Sequence, residues 1–364
     1  MSTPRTLSEI PTPALIVDVA AMERNIQRMA AYFAGGACRL RPHFKAHKTP
    51  EIARRQLAAG SCSGITCSTV SEAEVVAPFA EDILIANEIV DRDKCHRAAA
   101  LAKQNTVTVA VDSVAGLERI SEAATAAGVT VGVLIDLNVG QNRCGVAPGD
   151  EAVDLARRAM ATAGIEVRGL MGYEGHAVGI PLRAEREAAV RKSMTQLAAT
   201  ARMFAAAGLP FGIVSGGGTG SYDIGITFKE ITEIQAGSYV LMDSDYGSLG
   251  IPFEHAASVL GTIVSRAVPG RCVADCGHKS CTKDHGLPPV KGIVGASVMA
   301  LNDEHATIAI PPSSTLQIGD RIELLPSHID PTMNLHDVVY ALDADRVIGV
   351  WPIAARGYAE QSRR

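Results

Sequence analysis

Three short stretches of this chain carry residue types that can do chemistry together. The first is Arg41-Pro42-His43-Phe44-Lys45-Ala46-His47-Lys48. An amine between two imidazoles suits a Schiff-base nucleophile, because partial burial and nearby cations favour the neutral amine. The same stretch also reads as a basic surface loop. The second is Ser215-Gly216-Gly217-Gly218-Thr219-Gly220, with Gly237-Ser238-Tyr239 further on. Consecutive glycines let backbone N–H groups close on an anion, and Thr219 adds a hydroxyl. Glycine runs serve plain turns equally well. The third is Pro326-Ser327-His328-Ile329-Asp330-Pro331-Thr332. Residues two apart on an extended segment point the same way, so His328 and Asp330 either converge on one divalent ion or stand as two solvated side chains.

These residues need elements to position them. Short β-branched runs at 41–45, 64–69, 82–87, 107–112, 131–137, 167–173, 212–215 and 233–237 alternate with helical patterns at 92–103, 114–126, 151–163 and 182–207. Such alternation predicts βαβ units and a parallel sheet, here an α/β fold whose eight strands close into a (β/α)8 TIM barrel over 13–254. Beyond about residue 255 the segments 257–267, 292–301, 306–310, 320–325 and 338–341 are short, β-rich and broken by Pro, Gly and Asp. They predict a C-terminal antiparallel β domain over 255–364, with residues 1–12 packing on it. The apolar run 14–18 is not needed among the eight strands and either pairs with that domain or closes off the barrel. Barrel enzymes build their sites at the strands' C-terminal ends, with phosphate sites in the loops after strands seven and eight. The glycine run and Gly237-Ser238-Tyr239 fall in those loops. An anion cradle with a strand-end lysine suggests pyridoxal 5′-phosphate.

Composition removes other classes. The chain has 364 residues, 47% apolar and 20% charged, with a net charge of −5. That balance gives no field to hold nucleic acid or an anionic membrane. No apolar run approaches the roughly 18 residues of a membrane span. The start, MSTPRTLSEI, lacks an apolar leader, and eight Cys is a low density, so reduced thiols in a cytoplasm are expected. Cys272, Cys276 and Cys281, with His278 and His285 among them, are spaced too irregularly for a zinc module and read as strand and turn residues. Cys62 and Cys67 read as interior thiols.

Taken together, 13–18, 41–48, Asn142-Arg143-Cys144-Gly145, Tyr173-Glu174-Gly175-His176, 216–220 and 326–337 resemble the D-threonine aldolase and D-serine dehydratase family. The resemblance covers nearly the whole chain. It implies the alanine-racemase-like fold of type III pyridoxal phosphate enzymes, a cofactor-binding barrel with a β domain, and a homodimer. It implies that Lys45 is the cofactor-binding lysine, with Lys48 the competing choice. Arg143 is then expected near the cofactor ring, where a cation favours its phenolate; alone, it also reads as a surface arginine. Gly217, Gly218, Thr219 and Ser238 match the phosphate-binding loops, and Tyr173 and Tyr239 are further cofactor-contact candidates.

In this family the 328–330 location carries a metal, with His-x-Cys in dehydratase-like members and His-x-Asp in aldolases. Asp330 therefore favours the aldolase, and a carboxylate beside an imidazole favours Mn²⁺, with Mg²⁺ or Co²⁺ as alternatives. The implied activity is retro-aldol cleavage of D-threonine and other D-3-hydroxy amino acids to glycine and an aldehyde. His176 would act as general base on the hydroxyl; otherwise it caps a strand through backbone hydrogen bonds. His43, His47, His305 and His336 are further pocket candidates, the last paired with Asp337. A D-serine or D-3-hydroxyaspartate dehydratase of the same fold is the alternative, followed by a non-catalytic cofactor carrier and a racemase.

Overall fold

The computed structural model describes residues 4–357. The β-branched runs form strands β1 (Ala14–Asp18), β2 (Arg39–Leu40), β3 (Ile65–Cys67), β4 (Asp82–Glu88), β5 (Thr106–Val111), β6 (Val131–Asp136), β7 (Ile165–Gly172), β8 (Ile213–Gly216) and β9 (Glu233–Ile234). Between them lie α1 (Val19–Phe33), α2 (Pro50–Ala58), α3 (Val70–Val76), α4 (Arg92–Leu101), α5 (Val114–Ala127), α6 (Asp150–Met160), α7 (Arg183–Ala206) and α8 (Tyr222–Gly225). Side chains that cap helices fix where several begin: Thr69, Asp91 and Ser113 each accept the N–H three residues on, starting α3, α4 and α5. Helices α2 and α3 were not anticipated from the sequence.

Strands β2 to β9 make one sheet in the order β2-β9-β8-β7-β6-β5-β4-β3, with parallel pairing throughout. Parallel bridges Leu40↔Cys62 and His43↔Thr66 join its two ends. The ring is therefore closed, as the barrel reading expects. Leu84, Ala110, Leu134 and Met171 from β4 to β7 pack on one another as a buried cluster. Arg41 adds a polar clasp across the seam. Its guanidinium donates to Glu233 of β9 at 2.8 and 2.6 Å and to Asp82 of β4 at 2.9 Å.

The first barrel strand begins and ends earlier than 41–45. Regular pairing covers only β2, although Arg41 and His43 still donate to Ile234 and Ala236. Pro42 has no N–H to give, and after His43 the chain tightens into a 3₁₀ turn, Phe44–Ala46.

The second sheet holds β10 (Ala257–Ser265), β11 (Arg271–Ala274), β12 (Ser297–Leu301), β13 (Ala306–Ala309), β14 (Arg321–Leu324), β15 (Val338–Asp343) and β16 (Arg346–Pro352), with short helices α9 (Ser244–Gly247) and α10 (Ile329–Asn334) nearby in sequence. Its order is β12-β13-β11-β10-β1-β15-β16, with β14 on β10. The run 14–18 thus belongs to this sheet. The sheet is not wholly antiparallel as expected, because β1 runs parallel to β15. Ile10, Ala14, Ile16, Leu260 and Leu342 form a buried cluster here, so the segment before β1 is held by its apolar side chains.

Among the described residues the chain divides into two compact units, one within Met1–Arg28, Ala46–Ile52 and Ser238–Arg364, the other within Met29–Lys45 and Ala53–Gly237. The expected boundary near residue 254 can be set beside that division; residues 358–364 lie outside the described residues. No described helix is long and apolar enough to cross a membrane.

Candidate active site

Lys45 sits half-buried in the 3₁₀ turn that follows the last ladder bond of the first barrel strand. The histidines beside it are occupied by the turn itself. His43 Nδ1 accepts the Lys45 N–H at 3.4 Å, and His47 Nδ1 accepts the Thr49 N–H at 3.2 Å. An accepting ring nitrogen carries no proton, so Nδ1 of each ring helps to shape the turn and the entry to α2. Lys48 directs its ammonium to Asn334 Oδ1 at 3.2 Å.

The glycine run leaves β8 and turns sharply, with Gly217 at φ +73°. A β-carbon on Gly217 would stand 2.8 Å from Ile234 Cδ1, and one on Gly220 only 2.0 Å from the Val178 carbonyl oxygen. Side chains there would strike Ile234 and the Val178 backbone, so the turn needs glycine at both positions. The N–H groups of Gly217 and Gly218 are not turned toward an anion. Gly217 donates to Glu174 Oε2 at 3.2 Å and Gly218 to Ser221 Oγ at 3.0 Å, while Ser221 Oγ donates to Glu174 Oε1 at 2.5 Å. The N–H groups of the two glycines are therefore engaged within the turn. Glu174 is fully buried; burial pushes its carboxyl above the ordinary range, opposed by the bonds from Ser221 and Gly217. It is the fastener of the loop. Thr219 is buried within the same turn. Ser238 and Tyr239 belong to a buried 3₁₀ turn, Ser238–Val240, and the Tyr239 ring packs at 5.6 Å on Phe253.

Arg143 rides on a loop that leaves β6 and returns to it. Leu137 pairs with Val146, and the Val146 N–H donates to the Asp136 carbonyl at 3.0 Å. Inside the loop, Asn138 Oδ1 accepts the N–H groups of Gly140 and Asn142, both at 3.1 Å, and Asn138 Nδ2 donates to Asn142 Oδ1 at 3.0 Å. Asn138 was missed in the sequence; an asparagine two residues before a glycine was the available signal. The Arg143 guanidinium lies 5.9 Å from the centroid of Tyr173, and both line a pocket with Asp136, Asn138, Gln141 and Cys144. Tyr173 also stands 3.5 Å from where a β-carbon of Gly218 would be. The His176 ring is exposed and reaches the Arg143 loop, its Cε1 lying 3.0 Å from a β-carbon position on Gly140. One unit thus brings Arg143, Tyr173, His176 and the glycine run together.

The other unit assembles a second set. His328 is the residue before α10 and Asp330 lies in its first turn. The His328–Asp330 segment is therefore not the extended strand that the two-residue spacing assumed, and Asp and Pro at 330–331 are the helix-start signal that reading passed over. His328 Nδ1 lies 2.6 Å from Asp284 Oδ2, and His285 Nδ1 lies 3.0 Å from Asp245 Oδ2. The two imidazoles stack at 4.3 Å. Ligand atoms of Asp284, His285 and His328 fall within 4.8 Å of one another, a spacing that one ion can bridge. Burial works to raise the Asp284 carboxyl, but the bonds from His328 and Thr282 outweigh it and hold it below the ordinary range. Asp243 accepts the N–H groups of Tyr246 and Ile329 beneath this set, and burial pushes it up to about 6. Sequence reading named His328 and Asp330 but not Asp284, Asp243 or Asp245, and among the described residues Asp330 is not one of those whose ligand atoms meet.

His305 is exposed. His336 is half-buried with Nε2 donating to the Ser280 carbonyl at 2.7 Å, and burial lowers its pKa, so the ring is neutral. Cys272, Cys276 and Cys281 are buried thiols, as are Cys38, Cys67 and Cys95; all eight cysteines are free.

Two domain descriptions match the chain: an alanine racemase N-terminal domain over residues 17–245 and a putative serine dehydratase domain over 256–342. A D-threonine aldolase of Arthrobacter sp. is 38% identical over 97% of this chain and 94% of its own length. A 3-hydroxy-D-aspartate aldolase of Paracoccus denitrificans is 35% identical over 96% and 93%. The crystal structure of a D-threonine aldolase from Filomicrobium marinum superposes with a TM-score of 0.94 at 38% identity, covering 98% of both chains. A D-threo-3-hydroxyaspartate dehydratase, solved as a Cys-to-Ala variant in metal-free form, gives 0.87 at 28% identity, over 95% of this chain and 98% of that one. With both domain models and aldolases matched along nearly its whole length, the chain belongs to the D-threonine aldolase and D-serine dehydratase family of alanine-racemase-like proteins.

Proposed function

We propose that this protein is a lyase that cleaves D-threonine and related D-3-hydroxy amino acids to glycine and an aldehyde, using pyridoxal 5′-phosphate and a divalent metal. The observation that carries the aldolase over the dehydratase is Asp330, a carboxylate two residues after His328. A carboxylate–imidazole site is harder than a thiolate one and suits Mn²⁺, with Mg²⁺ or Co²⁺ as alternatives.

The residues present fit both groups. A glycine turn closed to side chains, a half-buried lysine and an arginine beside a phenol support the cofactor; imidazoles among carboxylates support the metal. Pyridoxal 5′-phosphate supplies an electron sink for the pair left on Cα, and the metal supplies a Lewis acid for the β-oxygen. Lys45 would hold the cofactor's carbonyl carbon through Nζ, and Arg143 its phenolic oxygen. Thr219 and Ser238 would donate hydroxyls to the phosphate, with Gly217 and Gly218 leaving it room. Tyr173 and Tyr239 would pack against the cofactor. His328, with Asp330, would hold the metal. His176 would take the β-hydroxyl proton on a ring nitrogen as Cα–Cβ breaks, the carbonyl forms at Cβ and Cα gains a proton. We take the enzyme to work as a cytoplasmic homodimer.

The test incubates purified protein with pyridoxal 5′-phosphate, Mn²⁺ and D-threonine. Glycine and acetaldehyde in equal amounts are expected. 2-Oxobutanoate and ammonia without glycine would make it a dehydratase.

A further inference from the structure

Three successive barrel strands end in carboxylates at the same end of the sheet. Glu88 closes β4, Asp112 follows β5 and Asp136 closes β6. Cys144, from the loop that carries Arg143, reaches into them: ligand atoms of Glu88, Asp112 and Cys144 lie within 4.8 Å of one another. Asp136 is buried, and it and Cys144 both face Glu88, whose carboxyl bears on each of them. Asp112 Oδ2 accepts the Gly145 N–H at 3.2 Å, one residue beyond Cys144. Each strand end therefore holds part of one loop.

Two carboxylates cannot bond to each other with both ionised, because neither then has a proton to donate. We propose that Asp136 and Glu88 share one proton across the ends of β6 and β4 and, with the Cys144 thiol donating to Glu88, hold the Arg143 loop in place, making Asp136 a positioning residue for the cofactor's arginine. The inference rests on the proposed role of Arg143. The groups facing Asp136 agree with it: Glu88 from β4 and Asp112 beyond β5 disfavour its charge, and only Arg143 favours it. Burial is the largest cause, and together they push the Asp136 carboxyl up to about 8. Burial and Glu88 push the Cys144 thiol up to about 11, as an acceptor at Glu88 requires. The cofactor's arginine thus hangs from a neutral acid, not from a second anion that would draw its guanidinium away.

The test follows two signals in the full-length protein. One is iodoacetamide labelling of Cys144 against pH, read on its peptide by mass spectrometry. Above pH 8 the wild type carries an extra negative charge that Asp136→Asn lacks. Cys144 in the variant should therefore label about tenfold faster at pH 9, about one unit in the profile. Glu88→Gln should shift the profile the same way. The other signal is pyridoxal 5′-phosphate affinity at pH 7. Asp136→Ala should weaken it at least about tenfold, and Asp136→Asn, which keeps a neutral donor, should stay within about threefold of wild type. Coincident labelling profiles overturn the shared proton, and undiminished affinity in Asp136→Ala overturns the positioning role. If Asp136→Ala does not fold, the near-isosteric Asp136→Asn and Glu88→Gln decide by labelling. Wild-type protein that fails to take up the cofactor would count against the proposed function, whereas labelling alone judges the proton.

Discussion

His328 Nδ1 stands 2.6 Å from Asp284 Oδ2, and the two residues lie 44 positions apart in the chain. The bond occupies Nδ1 with a carboxylate, so on the proposed metal site Nε2 is the ring nitrogen left for the ion and Asp284 stands behind the ring. A carboxylate behind a ligating histidine fixes its tautomer and raises its basicity. Asp284→Ala should therefore weaken Mn²⁺ binding by about 10–100-fold while leaving the fold intact, since the carboxylate is largely exposed. Calorimetric titration with Mn²⁺ reads this, and an unchanged isotherm would remove Asp284 from the site.

The lysine assignment has its own discriminating pair. Lys48 is tied to Asn334, whereas Lys45 lies in the turn that ends the first barrel strand. Lys45→Ala should lose the long-wavelength absorbance of lysine-linked cofactor, and Lys48→Ala should keep it. A spectrum scan after gel filtration with pyridoxal 5′-phosphate separates the two, and a band that survives in Lys45→Ala rejects the assignment.

The contrast between these two sets explains what the sequence made legible. Lys45, Arg143, His176 and the glycine run stand at the ends of barrel strands, and strand periodicity is a local signal that a single chain displays. The partner of His328 gave no such sign, because Asp284 and His285 sit in a Gly/Pro-flanked loop and meet His328 only through the tertiary fold. His285 was grouped instead with nearby cysteines that the fold buries elsewhere. The Gly217 and Gly218 donors were misjudged for a related reason. Whether an N–H faces an anion or a buried Glu174 depends on a residue 43 positions earlier.

The Arg41 clasp is a stability element with no expected part in chemistry. Its side chain and that of Glu233 are 2% and 5% exposed, joined by two hydrogen bonds across β2 and β9. Removing Glu233 takes two of the three hydrogen bonds named here from a buried charge, so Glu233→Ala should cost about 3–5 kcal/mol. Asp82 remains on the guanidinium at 2.9 Å and holds the loss toward the lower end. Urea unfolding at pH 7 measures it; a change under about 1 kcal/mol, the size expected of an exposed pair, would show that the clasp is solvated.

The shared proton at Asp136 also leaves a mark on stability. An aspartate carboxyl in the unfolded chain releases its proton near its ordinary value of 3.8, whereas the folded protein holds it to about 8. Between those values the folded state binds more protons than the unfolded one, so stability falls as pH rises through that window and levels off above it. Asp136→Asn has no such proton to lose. Its Tm minus that of wild type should grow steadily from pH 5 to pH 8 and stay flat from 8 to 9.5. A difference that is constant across the whole range would mean that Asp136 is ionised in the folded protein, and that the strand ends repel one another where they are argued to share a proton.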